Sequence, residues 1–62
     1  MEAEHNNRKY IIEQDRPDVG VYLYVYEQGK CMYDYLQDTV EQCIVFAEEE
    51  FGVPLSAWKH NI

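Results

Sequence analysis

The sequence has no long hydrophobic run. A membrane-spanning helix requires about 20 consecutive apolar residues, and no segment of this 62-residue chain approaches that length. The opening residues, MEAEH, also lack the basic and apolar regions that are typical of a signal peptide. We therefore expect a cytoplasmic protein that does not associate with membranes.

Basic residues are also scarce. Five Lys and Arg stand against twelve Asp and Glu, which gives a formal net charge of −7. No Lys or Arg occurs between Cys31 and Trp58. A chain with this charge repels the phosphates of nucleic acids and of anionic membranes. Nucleic acid is therefore not an expected partner.

Cysteine and histidine are too sparse to form a recognisable metal or catalytic motif. Zinc ligands usually come in close pairs, whereas His5, Cys31, Cys43 and His60 are separated by eleven or more intervening residues. The consecutive acids at 48–50 would fan out around a helix and could not converge on one substrate bond. We expect no metal, no cofactor and no catalytic residue, and we predict that the protein is not an enzyme.

What the sequence does contain is apolar surface. Hydrophobic residues make up 47% of the chain and aromatic residues 15%, most of them tyrosine, which is typical of a globular protein. We expect one domain over residues 1–62, with residues 1–7 frayed because they are polar and aperiodic. A domain this small buries only about 60% of its unfolded surface. Such domains often gain stability from a partner subunit, so a homodimer is a hypothesis from the outset.

The strongest pattern lies at residues 19–26, where aliphatic residues alternate with tyrosines after Gly20. A period of two residues predicts a strand with an aliphatic face and a tyrosine face. Residues 31–36 predict the returning strand of a hairpin, and residues 9–14 predict an earlier strand. The connection between the first two strands falls around Pro17, which has no N–H to donate to a sheet.

The turn of the hairpin decides which side chains share a face. A two-residue turn would force Gln28 to a positive φ, so we favour a three-residue loop with only Gly29 in the left-handed conformation. This loop pairs Tyr26 with Lys30. The aliphatic face would then carry Val21, Leu23, Val25, Cys31, Tyr33 and Tyr35. The opposite face would carry Tyr22, Tyr24, Tyr26, Lys30, Met32 and Asp34.

A helix should follow the hairpin. Asp38 is the expected N-cap, with Glu41 three residues later, and Gly52 supplies a left-handed stop after Phe51. The helix's apolar stripe would cover the aliphatic face of the sheet, and Trp58 would fold back on the core edge. The stripe consists of Val40, Cys43, Ile44, Ala47 and Phe51. The predicted fold is α+β: a three-stranded antiparallel sheet (β-β-β), one α-helix on one face and a short C-terminal helical turn.

The exposed tyrosines suggest the function. Packing between neighbouring strands would by itself explain them, but patches rich in Tyr and Met are also typical of protein interfaces. We predict a small protein-interaction module that forms a homodimer or docks a protein partner. The candidate interface residues are Tyr22, Tyr24, Tyr26 and Met32.

An acidic surface supports an alternative function. The C-terminal half would present a negative face to a basic site on another protein. The alternative is therefore an acidic inhibitor, of the immunity, antitoxin or nucleic-acid-mimic kind. Its candidate residues are Asp38, Glu41, Glu48, Glu49 and Glu50.

Overall fold

In a computed structural model, which describes residues 1–14 and 18–59, the chain forms a four-stranded antiparallel sheet with a helix across one face. The strands lie in chain order. The elements are β1 (Glu2–His5), β2 (Arg8–Gln14), β3 (Val21–Glu27), β4 (Lys30–Gln37) and α1 (Val40–Phe51), followed by a 3₁₀ turn at Leu55–Ala57. The predicted connection at Pro17 and the candidate ligand His60 lie outside the described residues. No helix of the described part is long and apolar enough to cross a membrane.

The α+β class is confirmed, but the prediction of three strands is wrong because residues 1–7 are not frayed. Glu2–His5 pairs with β2 as strand β1. The two strands are joined by Asn6 and Asn7, which have φ angles of 51° and 65°. Asparagine adopts this left-handed conformation more readily than other residues, and two such residues make the turn that best fits the twist of a hairpin.

The β3–β4 hairpin is confirmed, but its predicted three-residue loop is wrong. Glu27 pairs with Lys30, and the turn consists of Gln28 and Gly29 with φ angles of 53° and 78°. Gln28 therefore adopts the conformation that we expected it to avoid. The two-residue turn matches the twist of the flanking strands, and this offsets the local cost at Gln28.

A bulge at Met32 restores the predicted faces for Tyr33, Asp34 and Tyr35, but not for Lys30 and Cys31. Tyr26 lies opposite Cys31 while Val25 lies opposite Tyr33, so Met32 is the extra residue on β4. Tyr33 therefore shares the aliphatic face, as predicted. Cys31 lies instead on the side of the tyrosines, and Lys30, opposite Glu27, moves to the helix side.

The predicted helix and its glycine stop are confirmed, but Asp38 is not the N-cap. The hydroxyl of Thr39 caps the helix, because its Oγ1 accepts a hydrogen bond from the N–H of Gln42 at 3.1 Å. In return, the Gln42 side chain accepts from the N–H of Asp38 at 3.0 Å. Thr39 and Gln42 have the spacing of a capping box, one residue later than Asp38 and Glu41. Gly52 ends the helix with a φ of 70°.

The core lies between the sheet and α1. Cys43 and Ala47 are the fully buried helix residues, and Val53 closes the end beyond the helix. The sheet contributes Ala3, Tyr10, Ile12, Val21, Leu23 and Val25. Phe51 packs on the ring of Tyr10, with 5.6 Å between the ring centroids. Trp58 packs against this core, as predicted.

Candidate functional site: the uncovered face of the sheet

Helix α1 covers one face of the sheet, and no other helix among the described residues covers the opposite face. The alternation along β3 places Tyr22, Tyr24 and Tyr26 on this uncovered face, each of them half-buried. The rings of Tyr22 and Tyr24 are stacked, with centroids 5.7 Å apart and planes 14° from parallel. This packing holds the two rings against each other at the centre of the face, and aromatic pairs of this kind contribute about 0.5 to 1.5 kcal/mol beyond the area that they bury.

Apolar neighbours extend this surface on both sides. Ile11 on β2 lies opposite Tyr24, and Leu36 on β4 lies opposite Tyr22 with 54% of its surface exposed. Directly opposite residues of an antiparallel sheet share a face. We call the surface formed by Tyr22, Tyr24, Tyr26, Ile11 and Leu36 the tyrosine face.

The sequence prediction missed Ile11 and Leu36. Ile11 lies between Tyr10 and Ile12, so a period of two residues already places it on the opposite side from them. That signal becomes useful only when the pairing register of β2 with β3 is known.

Met32, the fourth candidate, is placed differently from the tyrosines. It occupies the bulge and therefore has no residue directly opposite it on β3. Its side chain is 46% exposed. Met32 therefore lies at the β4 margin, next to Cys31, which is opposite Tyr26.

Charged residues surround the tyrosine face. Glu13 lies opposite Tyr22, and Asp34 lies opposite Tyr24. The pKa of Tyr24 is raised by partial desolvation and also by these two carboxylates. The Tyr24 hydroxyl is therefore protonated at neutral pH and can donate a hydrogen bond to a partner.

One ion pair lies at the β1 side of this face. Lys9 Nζ is 3.0 Å from Glu2 Oε2, and this hydrogen-bonded carboxylate raises the pKa of Lys9. Lys9 therefore has a carboxylate partner within the chain, which reduces its availability to a phosphate group.

The five acids of the alternative site are all exposed. None of them lies within ion-pair distance of a basic residue in the part of the chain that the structure describes. Glu48, Glu49 and Glu50 also occupy the C-terminal end of α1, where the helix dipole disfavours negative charge. The helix dipole favours Glu41 in the first turn of α1, but it does not explain the three glutamates at the other end of the helix.

The two cysteines lie in different environments. Cys31 is exposed and lies opposite Tyr26, whereas Cys43 is buried beneath the helix on the other side of the sheet. Both are free thiols. Burial raises the pKa of Cys43, and its Sγ lies 3.7 Å from the carbonyl oxygen of Val21. Within residues 1–14 and 18–59, no three His, Cys, Asp or Glu side chains converge on a possible metal position.

Comparison with known proteins finds no matching family model, no matching curated protein and no matching solved structure. A proposal for the function must therefore rest on the residues of this chain.

Proposed function

We propose that the protein is a non-enzymatic interaction module that docks a protein, either a second copy of itself or another partner, on its tyrosine face. The observation that carries this proposal is the continuous apolar surface on the uncovered sheet face. Stacked Tyr22 and Tyr24 form its centre, and Ile11 and Leu36 flank them. Tyrosine is enriched at interfaces because its ring buries a large area while its hydroxyl keeps a polar partner.

The charges around the tyrosine face define the expected partner. Carboxylates of Glu13 and Asp34 lie directly beside the aromatic centre. A partner surface with an apolar centre and basic or hydrogen-bonding groups at its margin would complement this arrangement. The protonated hydroxyl of Tyr24 would donate to an acceptor on the partner.

The test removes the aromatic rings without disturbing the buried face of β3. Tyr22, Tyr24 and Tyr26 would be changed together to serine, and light scattering and affinity capture would be compared with the wild type. The matched control is Leu55→Ser, since Leu55 is 62% exposed on the 3₁₀ turn. Circular dichroism would confirm that both variants fold.

We expect the triple variant to lose self-association or partner capture while the Leu55 control retains it. A wild-type protein that remains a strict monomer at high micromolar concentration, unchanged by Tyr24→Ser, would contradict self-association. Partner capture that is equal for the wild type and the triple variant would contradict docking on the tyrosine face.

A second candidate function is the acidic inhibitor. The glutamates at the end of α1 favour it, because they form no ion pair with a basic residue among the described residues. Their carboxylates would attract a basic site on a nuclease or another DNA-binding protein. Changing Glu48, Glu49 and Glu50 to glutamine should slow association with such a protein. Added salt should slow it too, because salt screens exposed charges. An association rate that does not respond to ionic strength would contradict this candidate.

A further inference from the structure

The hydrogen bonds at β1 establish the bonding pattern of the whole sheet. The N–H of Ile12 donates to the carbonyl of Met1 at 2.8 Å, and the Met1 amino group donates back at 3.4 Å. Bonded and non-bonded pairs alternate along an antiparallel ladder. Ile11 therefore directs its backbone groups to β3, where it lies opposite Tyr24.

The same alternation, carried to β4, shows which backbone groups point away from the sheet. Tyr24 bonds to β2, so its neighbour Leu23 bonds to Tyr35 on β4. Asp34 and Leu36, on either side of Tyr35, consequently direct their N–H and carbonyl groups outward. Among the described residues, β4 has no strand on that side.

Strand β4 also exposes apolar side chains along this free edge. It is eight residues long, and Tyr33 and Leu36 are 45% and 54% exposed. Long, exposed edge strands readily pair with a strand from another chain. The bulge at Met32 distorts one end, but residues 33–37 keep a regular register with β3.

We propose that β4 pairs antiparallel with β4 of a second copy, about a two-fold axis at Tyr35. Asp34 of each copy then exchanges backbone hydrogen bonds with Leu36 of the other. The inference goes beyond the proposed function, because the second copy binds at the edge of β4 and leaves both tyrosine faces open to a protein partner. The two sheets become continuous, and the two tyrosine faces join into one surface.

Charge selects this register over its neighbours. An axis at Asp34 would place two carboxylates directly opposite each other, which is destabilising. An axis at Leu36 would place Asp34 opposite Asp38 of the second copy. The axis at Tyr35 places each Asp34 opposite a leucine, and it uses the outward backbone groups of both Asp34 and Leu36.

The helix side of the same edge complements this register. A two-fold axis at Tyr35 places Tyr33 of the second copy opposite Gln37. Val45 and Phe46 form the apolar part of a shallow groove between the end of β4 and the helix, and Val45 is 49% exposed. The rest of the groove is polar and is lined by Gln37, Thr39, Glu41, Gln42 and Glu49. Tyr33 of the second copy can cover the apolar part while its hydroxyl meets the polar part. The pairing therefore buries apolar side chains on both faces of the joined sheet.

The net charge sets the expected salt dependence. Each chain carries a formal charge of −7, so two copies repel each other and added salt weakens that repulsion. The dimer should therefore become tighter as ionic strength rises. This is opposite to the salt dependence of the acidic inhibitor, which separates the two hypotheses.

Amide hydrogen exchange, measured by NMR at low micromolar and at millimolar concentration, tests the pairing directly. The amides of Asp34 and Leu36 should exchange about tenfold more slowly where roughly nine-tenths of the chains are dimeric. The amide of Tyr35 should be protected at both concentrations, because it bonds within the hairpin. Fast exchange at Asp34 and Leu36 at every concentration would overturn the proposal.

Proline substitution isolates the backbone contribution. Asp34→Pro removes an outward N–H without altering the apolar tyrosine face, and it should yield a folded monomer. Asp34→Asn keeps the N–H and should still dimerise. If Asp34→Pro does not fold, Leu36→Pro removes the corresponding donor two residues later.

In these substitution experiments, two outcomes would overturn edge pairing. One is a dimer that persists in the folded proline variants. The other is a dimer that is lost in Tyr24→Ser but retained in Asp34→Pro, because it would mean that the tyrosine faces meet directly. That second result would leave the proposed function intact.

Discussion

Both edge strands of the sheet present backbone groups to the outside, but their surroundings differ. At β1, Glu2 exchanges backbone hydrogen bonds with Lys59 at 2.8 and 2.7 Å, so the C-terminal segment occupies that edge. At β4, Asp34 and Leu36 have no such neighbour in the described part of the chain. β1 is also short and carries two glutamates, whereas β4 has eight residues with exposed apolar side chains.

Short edge strands, charged residues and a covering segment are the means by which proteins prevent unwanted strand pairing. All three occur at β1. At β4 there is one bulge and one carboxylate in the regular segment, Asp34, which the proposed register places opposite a leucine. The β1 edge of the sheet is therefore protected against pairing with another strand, whereas the β4 edge can pair.

We expect the largest change in the free energy of unfolding from a proline at Tyr35 of β4, compared with a proline at its neighbour Asp34. Tyr35→Pro removes an N–H that bonds to β3, together with a ring whose centroid is 4.5 Å from that of Phe46. We expect it to lower the free energy of unfolding by about 3 kcal/mol or more. Asp34→Pro should lower it much less, because its N–H points outward. Urea denaturation of both variants at low protein concentration measures the difference, and equal destabilisation would contradict the assigned bonding pattern.

The next largest change in the free energy of unfolding should come from the β1 edge, which pairs with Lys59. Lys59→Pro removes the donor to the Glu2 carbonyl and should lower the free energy of unfolding by about 1 kcal/mol. The backbone of Trp58, with φ −76° and ψ 133°, is already compatible with a following proline. Lys59→Ala keeps the bond and is the matched control. Denaturation curves that coincide for the two variants would mean that the hydrogen bond from Lys59 to Glu2 contributes nothing to stability.

Local patterns predicted the central part of the fold well. The alternation after Gly20 was sufficient for the β3–β4 hairpin and for the side on which its tyrosines lie. The apolar stripe and Gly52 were sufficient for the helix. The predicted length of the β3–β4 turn was wrong. A two-residue turn alone would put Tyr33 on the opposite face, and the bulge at Met32 reverses that shift, which depends on the pairing of both strands.

Long-range contacts account for the parts that the sequence did not predict. β1 contains only Ala3 as an apolar residue, and it is held by pairing with β2 and by Lys59, which is distant in sequence. The set of residues predicted for the tyrosine face was incomplete for the same reason. Ile11 and Leu36 join it only through cross-strand pairing, whereas the three tyrosines follow from a single strand.

Substitutions in the β1–β2 and β3–β4 turns should change the free energy of unfolding by smaller amounts and in opposite directions. Gln28 adopts a positive φ for which asparagine is better suited. Gln28→Asn should raise the free energy of unfolding by about 0.5 to 1 kcal/mol. The reciprocal change Asn7→Gln should lower it by a similar amount. Thermal unfolding of both variants checks the signs, and destabilisation by Gln28→Asn would refute the turn assignment.

The smallest expected effect is on the pH dependence of stability, and it comes from the buried thiol of Cys43. Burial raises the folded-state pKa of Cys43 above its ordinary value of 9.0. As the pH rises past 9, the thiol of the unfolded chain ionises first, so the unfolded state binds fewer protons and stability falls. The contribution is fully present below pH 9 and is lost as the pH approaches the raised value. Cys43→Ala should remove this part of the decline, whereas Cys31→Ala should retain it, because Cys31 is exposed. Urea titrations from pH 7 to 10 would contradict the burial argument if the two variants declined equally.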